Sequence, residues 1–321
     1  PLASAVAVED GRVVAVGTLD SLASLIEDRD ARIDRRFDAD IILPGFIDPH
    51  VHPSLPAVLT QFPFLAPDDW SLPTGEFPGA TTSADYQREL TRLVANYKPS
   101  SIPFITWGYH PLWHGEIWRD TLNDWFSDTP VMLWHRSFHE LIGNDAAWET
   151  LGVTEAMASA IGEGADWQRG HFYEGGLKAV VPKLGFLFAP DRFMGGMANF
   201  LAMMQESGVT TAADMGTGIF GNPEQEIMSI RMAAEASPVP SRIILTPIIL
   251  DFVARGLTPE QALQQIRGWQ SSNTDRVSVG NHFKLMLDGA IFSGLSQMGP
   301  PGYLDGHHGV WMLDKDTTQA F

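Results

Sequence analysis

The stretch "LPGFIDPHVHPS", residues 43–54, carries an apolar run to Asp48 and then sets His50 and His52 one residue apart. Side chains on a strand alternate between faces, so the two imidazoles point the same way. Pro44-Gly45 opens the run, and Asp48 stands two residues ahead of the first imidazole. The segment is therefore predicted to be a buried strand with two histidines at its carboxyl end. Two imidazoles on one face, two positions apart, can ligate one metal ion. The plainer reading of H-x-H is a pair of turn histidines, one exposed and one bonded to a backbone carbonyl. The strand-end position favours the metal, because parallel barrels and open α/β sheets both carry their active sites at that end.

Upstream, "AVAVEDGRVVAVG" (residues 5–17) is two alternating apolar runs joined by Glu9-Asp10-Gly11, a hairpin signal. A short helix is expected near residues 21–27. "RRFDADIILPGFID" then reads as an extended segment that becomes fully apolar. Downstream, strand-like runs recur at residues 101–109, 130–137, 208–216, 242–250 and 281–289. Helical patterns lie at residues 85–97, 189–207, 223–236 and 258–270. The last opens with Thr258-Pro259-Glu260, an N-cap followed by proline at the first helical position. Nearly all-apolar strands alternating with helices imply a parallel sheet covered on its outer face. A barrel and an open doubly wound sheet both satisfy that pattern, and no internal repeat is visible.

The 321 residues, 44% of them apolar, suffice for one large core with a small appended domain. The apolar stretches are short and broken by charge or proline, so no membrane-spanning helix is expected. No signal peptide is recognisable, although the chain starts at Pro1 rather than Met, and a cytoplasmic location is expected. Zero cysteines exclude disulfides, thiolate metal sites and cysteine nucleophiles. Any metal must sit on histidine, carboxylate or a less common ligand. The net charge of −18 argues against nucleic acid and anionic membranes as partners. Homo-oligomerisation is compatible with the composition.

Lys284 lies in "HFKLMLDG", where strand parity places Lys284, Met286 and Asp288 on one face. A lysine facing a barrel interior is costly to desolvate, and burial lowers its pKa. A neutral amine can react with carbon dioxide to form a carbamate, an anionic ligand able to bridge two metals. The alternatives are a lysine paired with Asp288 or one that reaches the surface.

These residues carry a resemblance. "LPGFIDPHVHPS" resembles the signature of the amidohydrolase superfamily, metal-dependent hydrolases built on a (β/α)8 TIM-type barrel with a small β-sandwich domain. "AVEDGRVVAVG" is similar to the amino-terminal portion of that sandwich. "FHELIGNDAAWETLGVTE", residues 138–155, resembles the H-x-x-x-x-N stretch of the branch that includes N-substituted formamide deformylases. "SGVTTAADMG" and "FKLMLDGAIFSG" also look like that branch. The resemblance runs from Ala5 to about Gly309. It implies residues 1–40 as part of the sandwich and residues 41–321 as the first four or so barrel strands with insertions.

The resemblance also implies one or two divalent metals, zinc being the expected one, on His50, His52 and a carboxylated Lys284. It places His139 and Asn144 near the substrate pocket, although a capping pair at a helix start near Asn144 reads almost as well. Asp48 is expected to orient a ligand histidine or its strand. Glu174, Asp214 and Asp288 are weaker pocket or supporting candidates. His110, Trp113 and His114 could line a pocket with Trp107 and Trp118. His307-His308 reads as an exposed loop pair, and His282 as outward-facing.

The chain departs from the family in one respect. Members place two more ligand histidines on the fifth and sixth strands and a catalytic aspartate on the eighth, and no counterparts follow Gly309 here. The sequence is thus expected to be part of a longer protein, with its barrel incomplete and the proton-transfer aspartate beyond residue 321. The expected reaction is hydrolysis of an amide or related C–N bond by a metal-activated water. The abundant Trp and Phe point to an apolar or aromatic small-molecule substrate. Two other readings remain open: a different chemistry on the same fold, such as phosphoester hydrolysis or decarboxylation, and a non-catalytic ligand-binding barrel.

Overall fold

The computed structural model describes residues 3–98 and 100–321. It divides into two compact units, the first ending at Pro44 and the second comprising Gly45–Phe321. In the first, strands β1 (Ala5–Glu9) and β2 (Arg12–Gly17) pair antiparallel. Asp10 and Gly11 join them at φ 50 and 73, the left-handed pair that a two-residue hairpin turn of matching twist requires. A 3-10 turn (Asp20–Leu22) and a helix (Ala23–Asp28) follow. Residues 31–45 form no regular structure, so the expected extended segment becomes a strand only at Phe46.

The second unit opens with β3 (Phe46–Val51) and a helix, Ser54–Leu59. That helix lies against the longer helix Pro190–Glu206. Gly196 permits the contact, since a Cβ there would stand 1.8 Å from the Ala57 carbonyl oxygen. Between the two helices the chain makes a hairpin, β4 (Trp70–Leu72) with β5 (Gly75–Phe77), and then a five-stranded sheet. That sheet comprises β6 (Phe104–Tyr109), β7 (Val131–His135), β8 (Glu140–Gly143), β9 (Ala165–Asp166) and β10 (His171–Tyr173), in the order β6-β7-β8-β10-β9. Only β6 and β7 run parallel in it. The expected uniformly parallel sheet is therefore corrected: an antiparallel extension is grafted onto that parallel pair. Alternation on β7 sends Met132 and Trp134 into one core and Val131 and Leu133 into another, so both faces are covered.

The last sheet is β13-β12-β11-β3, all parallel, with β11 (Val209–Thr217), β12 (Arg242–Pro247) and β13 (Val277–Val279). Ala212, Ile243, Leu245 and Val277 pack beneath helices Pro190–Glu206, Pro223–Ala236 and Pro259–Gln270 through Phe200, Ile230 and Ile266. Two expectations change here. Residues 281–289 are not a strand; β13 precedes them, and they touch the sheet through an isolated parallel bridge of Lys284 to Ile248. Nor is β3 buried. Among the described residues it is an edge strand paired only with β11, and Phe46 and Ile47 are 52% and 68% exposed. No helix among the described residues is long and apolar enough to cross a membrane.

Candidate functional site

His50 is the penultimate residue of β3 and His52 the first residue beyond it. Their rings meet edge to face, with centroids 5.4 Å apart. Lys284 reaches the same place from 234 residues away, its Nζ lying 3.4 Å from His50 Nε2. The backbone explains how. Lys284 N–H donates to the Pro247 carbonyl at 2.8 Å, and its carbonyl accepts from Ile249 N–H at 3.0 Å, locking the residue beyond the end of β12. Three side chains thus converge past the carboxyl ends of parallel strands, the end where such sheets carry their sites. Burial pushes the Lys284 ammonium below its ordinary pKa, opposed by the charge of Asp214. Burial, followed by the positive charge of Lys284, lowers His50. Both groups are therefore biased toward the neutral, lone-pair-bearing form.

Two carboxylates from β11 and the following helix hold the segment 52–54. Buried Asp214 lies 3.3 Å from His52 Nδ1 and accepts from Gly216 N–H at 3.0 Å and from the Thr217 hydroxyl at 2.5 Å. A carboxylate engaging Nδ1–H leaves Nε2 as the ring's free acceptor. Glu226 is the second. Its Oε1 lies 2.5 Å from the Ser54 hydroxyl and its Oε2 accepts from Gly218 N–H at 2.7 Å. Burial and the neighbouring charge of Asp214 push Glu226 up to about 8. Asp48 accepts from the backbone N–H of His50 at 3.0 Å, which steadies the strand rather than a ring. Gly216 leaves room for His52, because a Cβ there would stand 2.8 Å from the imidazole.

The other expected residues have partners of their own. Asp288 accepts from Gln297 N–H at 2.9 Å and does not pair with Lys284, since the irregular backbone replaces the strand that would have aligned them. Asn144 is fully buried and caps helix Asp145–Leu151, accepting from Ala147 and Val131 and donating to the Phe126 and Thr129 carbonyls. With those hydrogen bonds it serves the fold rather than a pocket. His139 Nδ1 pairs with Glu174 at 2.9 Å, and Glu174 also accepts from Ala290 N–H at 3.1 Å. His114 is buried against Tyr86 and donates to the Ala80 carbonyl at 2.8 Å, while Trp107 is core. His282, His307 and His308 are exposed.

A further polar cluster went unread in the sequence. His171 Nε2 lies 2.8 Å from Glu140, whose other oxygen accepts from the Ser293 hydroxyl at 2.7 Å and lies 3.4 Å from His135 Nδ1. Burial pushes His135 down to about 4. Burial acts to raise Glu140, but the His171 hydrogen bond and the charge of His135 hold it at about 2. The available signal was His135 itself, which ends a parallel strand as His50 nearly does. Among the described residues no three His, Asp or Glu side chains are grouped to hold a metal; the donor that approaches His50 is the Lys284 amine.

A mixed α/β protein with a parallel sheet and an imidazole–amine cluster at its carboxyl edge belongs to a recognisable class. Residues 40–308 match the amidohydrolase family, and the chain belongs to that family. Its fold is similar to two crystal structures of uncharacterized metal-dependent hydrolases. The one from Pyrococcus horikoshii OT3 superposes with a TM-score of 0.61 at 16% identity, over 98% of this chain and 58% of that one. The one from Pyrococcus furiosus gives 0.63 at 16% identity, over 97% of this chain and again 58% of the other. The chain thus spans little more than half the length of either. No curated protein matches it.

Proposed function

We propose that the protein containing this chain is a metal-dependent hydrolase of an amide or related C–N bond, with His50, His52 and Lys284 among its metal ligands. The observation that carries the reading is the 3.4 Å approach of Lys284 Nζ to His50 Nε2, across 234 residues of sequence. Two imidazoles and the Lys284 amine, whose burial favours its neutral form, suit a borderline cation such as zinc. A divalent ion held there would polarise a scissile carbonyl and acidify a water molecule. The chain's own residues do the rest. Asp214 fixes the tautomer and tilt of His52, and the Ser54–Glu226 bond holds the turn that follows. Lys284, as the free amine, can add carbon dioxide at Nζ and lose a proton, which turns a neutral donor into an anionic one.

The amidohydrolase family and the metal dependence of both structural neighbours support this reading. On it, residues 45–321 supply the early strands of a TIM-type barrel and the first unit part of a β-sandwich. The branch of the N-substituted formamide deformylases, with a small apolar amide as substrate in the cytoplasm, is the finer placement. The test is metal content of the full-length protein by mass spectrometry. His50→Ala/His52→Ala should lose at least one equivalent per chain, and Lys284→Arg, which cannot form a carbamate, should lose turnover of a panel of N-substituted amides. Unchanged metal in the double variant would sink the ligand assignment.

A further inference from the structure

A cavity of 420 Å³ opens beside Ser54, walled by Val181, Pro182, Phe188, Phe193 and Phe220. Its position ties it to the site already described. Ser54 is two residues past His52, a separation of at most about 7 Å along the chain. Phe220 lies in the connection from β11 to helix Pro223–Ala236, and Phe193 in the opening turns of helix Pro190–Glu206, which feeds β11. These segments all gather at the end of the sheet where His50 and His52 emerge.

The wall chemistry selects the occupant. The Phe188 ring lies 4.8 Å from Phe220 and 6.3 Å from Phe193 between centroids, an aromatic face with space in front of it. The one ionisable group in the lining, Glu226, is already engaged, and the other polar groups there are uncharged. Glu226 spends both oxygens on Ser54 and Gly218, and Asn222 exchanges hydrogen bonds with Gln225 at 3.0 and 3.2 Å. A charged ligand would find no free counter-ion among these groups, whereas an uncharged ring or branched alkyl group would meet matching surface. The volume lies within the range of about 300–1,000 Å³ typical of small-molecule pockets.

We propose that this cavity receives the uncharged aromatic or branched-alkyl group of the substrate, leaving the bond to be cleaved toward His50 and His52. The proposal rests on the hydrolase reading for the word substrate, and its first test does not. Gly185 lines the cavity, and a Cβ added there meets no atom within 4 Å, so Gly185→Phe sets a ring at the cavity wall with no clash at its Cβ.

The probes are benzyl alcohol, benzoate and benzylamine, titrated into metal-stripped full-length protein and followed by ligand-observed NMR. Benzyl alcohol should bind at least tenfold more tightly than either charged probe, and Gly185→Phe should weaken it at least tenfold with an unchanged thermal melt. Ser229→Leu, from another wall, should act the same way and serves if the first variant fails to fold. In the metal-loaded enzyme, benzyl alcohol should compete with turnover of an aryl-substituted amide in the wild type and not in the filled variant. Equal binding of all three probes, insensitivity to both substitutions, or non-competitive behaviour would overturn the proposal. Failure of the hydrolase reading would show instead as absent metal with probe binding intact.

Discussion

Glu226 sits enclosed beside Asp214, and the pH dependence it creates has a definite sign. Its carboxyl is raised by burial and by that neighbour to about 8 from an ordinary value of 4.5. Between those values the folded state holds a proton that the unfolded chain has released, so stability is full below about 4.5 and declines as pH rises through 8, by about 1.4 kcal/mol per unit at most. Glu226→Gln presents a carbonyl to Gly218 N–H and an amide donor to the Ser54 hydroxyl, reproducing the neutral acid. Urea unfolding should find the variant similar to wild type at pH 5 and more stable at pH 8; an identical slope in both proteins would refute the assignment. His114 works in the opposite direction. Burial lowers it to about 4, so its contribution is present above about 6.5 and is lost as pH falls toward 4, giving the fold an acid limit as well. Gly216 offers a third residue-scale test. In Gly216→Ala the new methyl would stand 2.8 Å from His52, so the ring must turn off Asp214. Metal affinity should drop about tenfold or more, the usual cost of disturbing a ligand's supporting carboxylate, while the circular dichroism spectrum stays the same.

Helix Pro259–Gln270 shows what the sequence could say about elements. Its Thr258 accepts from Gln261 N–H while the Gln261 side chain accepts from Thr258 N–H, a reciprocal cap visible as T-P-E-Q. Thr258→Ala should cost about 1 kcal/mol in a denaturant titration, because the capped helix brings Ala262 and Ile266 into the core. A change below a few tenths would mean that packing alone holds the helix. Long, capped helices and the Asp10-Gly11 hairpin were legible because their signals are local. The His50/His52 pair was legible because strand parity is local too. What escaped depends on distant partners. Strands β8, β9 and β10 have 4, 2 and 3 residues, too short for any period to show; β8 forms because Leu133 and Trp134 of β7 offer it an edge, and β10 and then β9 add outward from β8. Residues 281–289 look strand-like in composition, yet "VSV" ahead of them takes the place beside β12. Asn144 matched a family stretch, but only the structure reveals that Phe126, Thr129 and Val131 consume its amide.

At the scale of the molecule, the four-stranded parallel sheet is half covered. Ile243 and Leu245 are fully buried beneath helices, while Ile244 between them is exposed, as are Phe46 and Ile47 on β3. Parallel sheets in α/β proteins ordinarily have both faces covered, and their unpaired edges invite association. Both end strands of this sheet, β3 and β13, pair on one side only among the described residues. The similar hydrolases are longer, and this chain matches 58% of each. The 321 residues should therefore bind a hydrophobic dye in the folded state and elute as associated species. The cause can be separated from general instability. Ile47, on the edge strand β3, and Ile244, on β12, already face solvent, so Ile47→Lys/Ile244→Lys replaces exposed apolar surface with charge without opening a core cavity. In the isolated chain the double variant should reduce dye binding and shift elution toward monomer with its melting temperature within a few degrees of the parent. Monomeric, dye-free behaviour of the unmodified 321 residues would show that this face needs no cover.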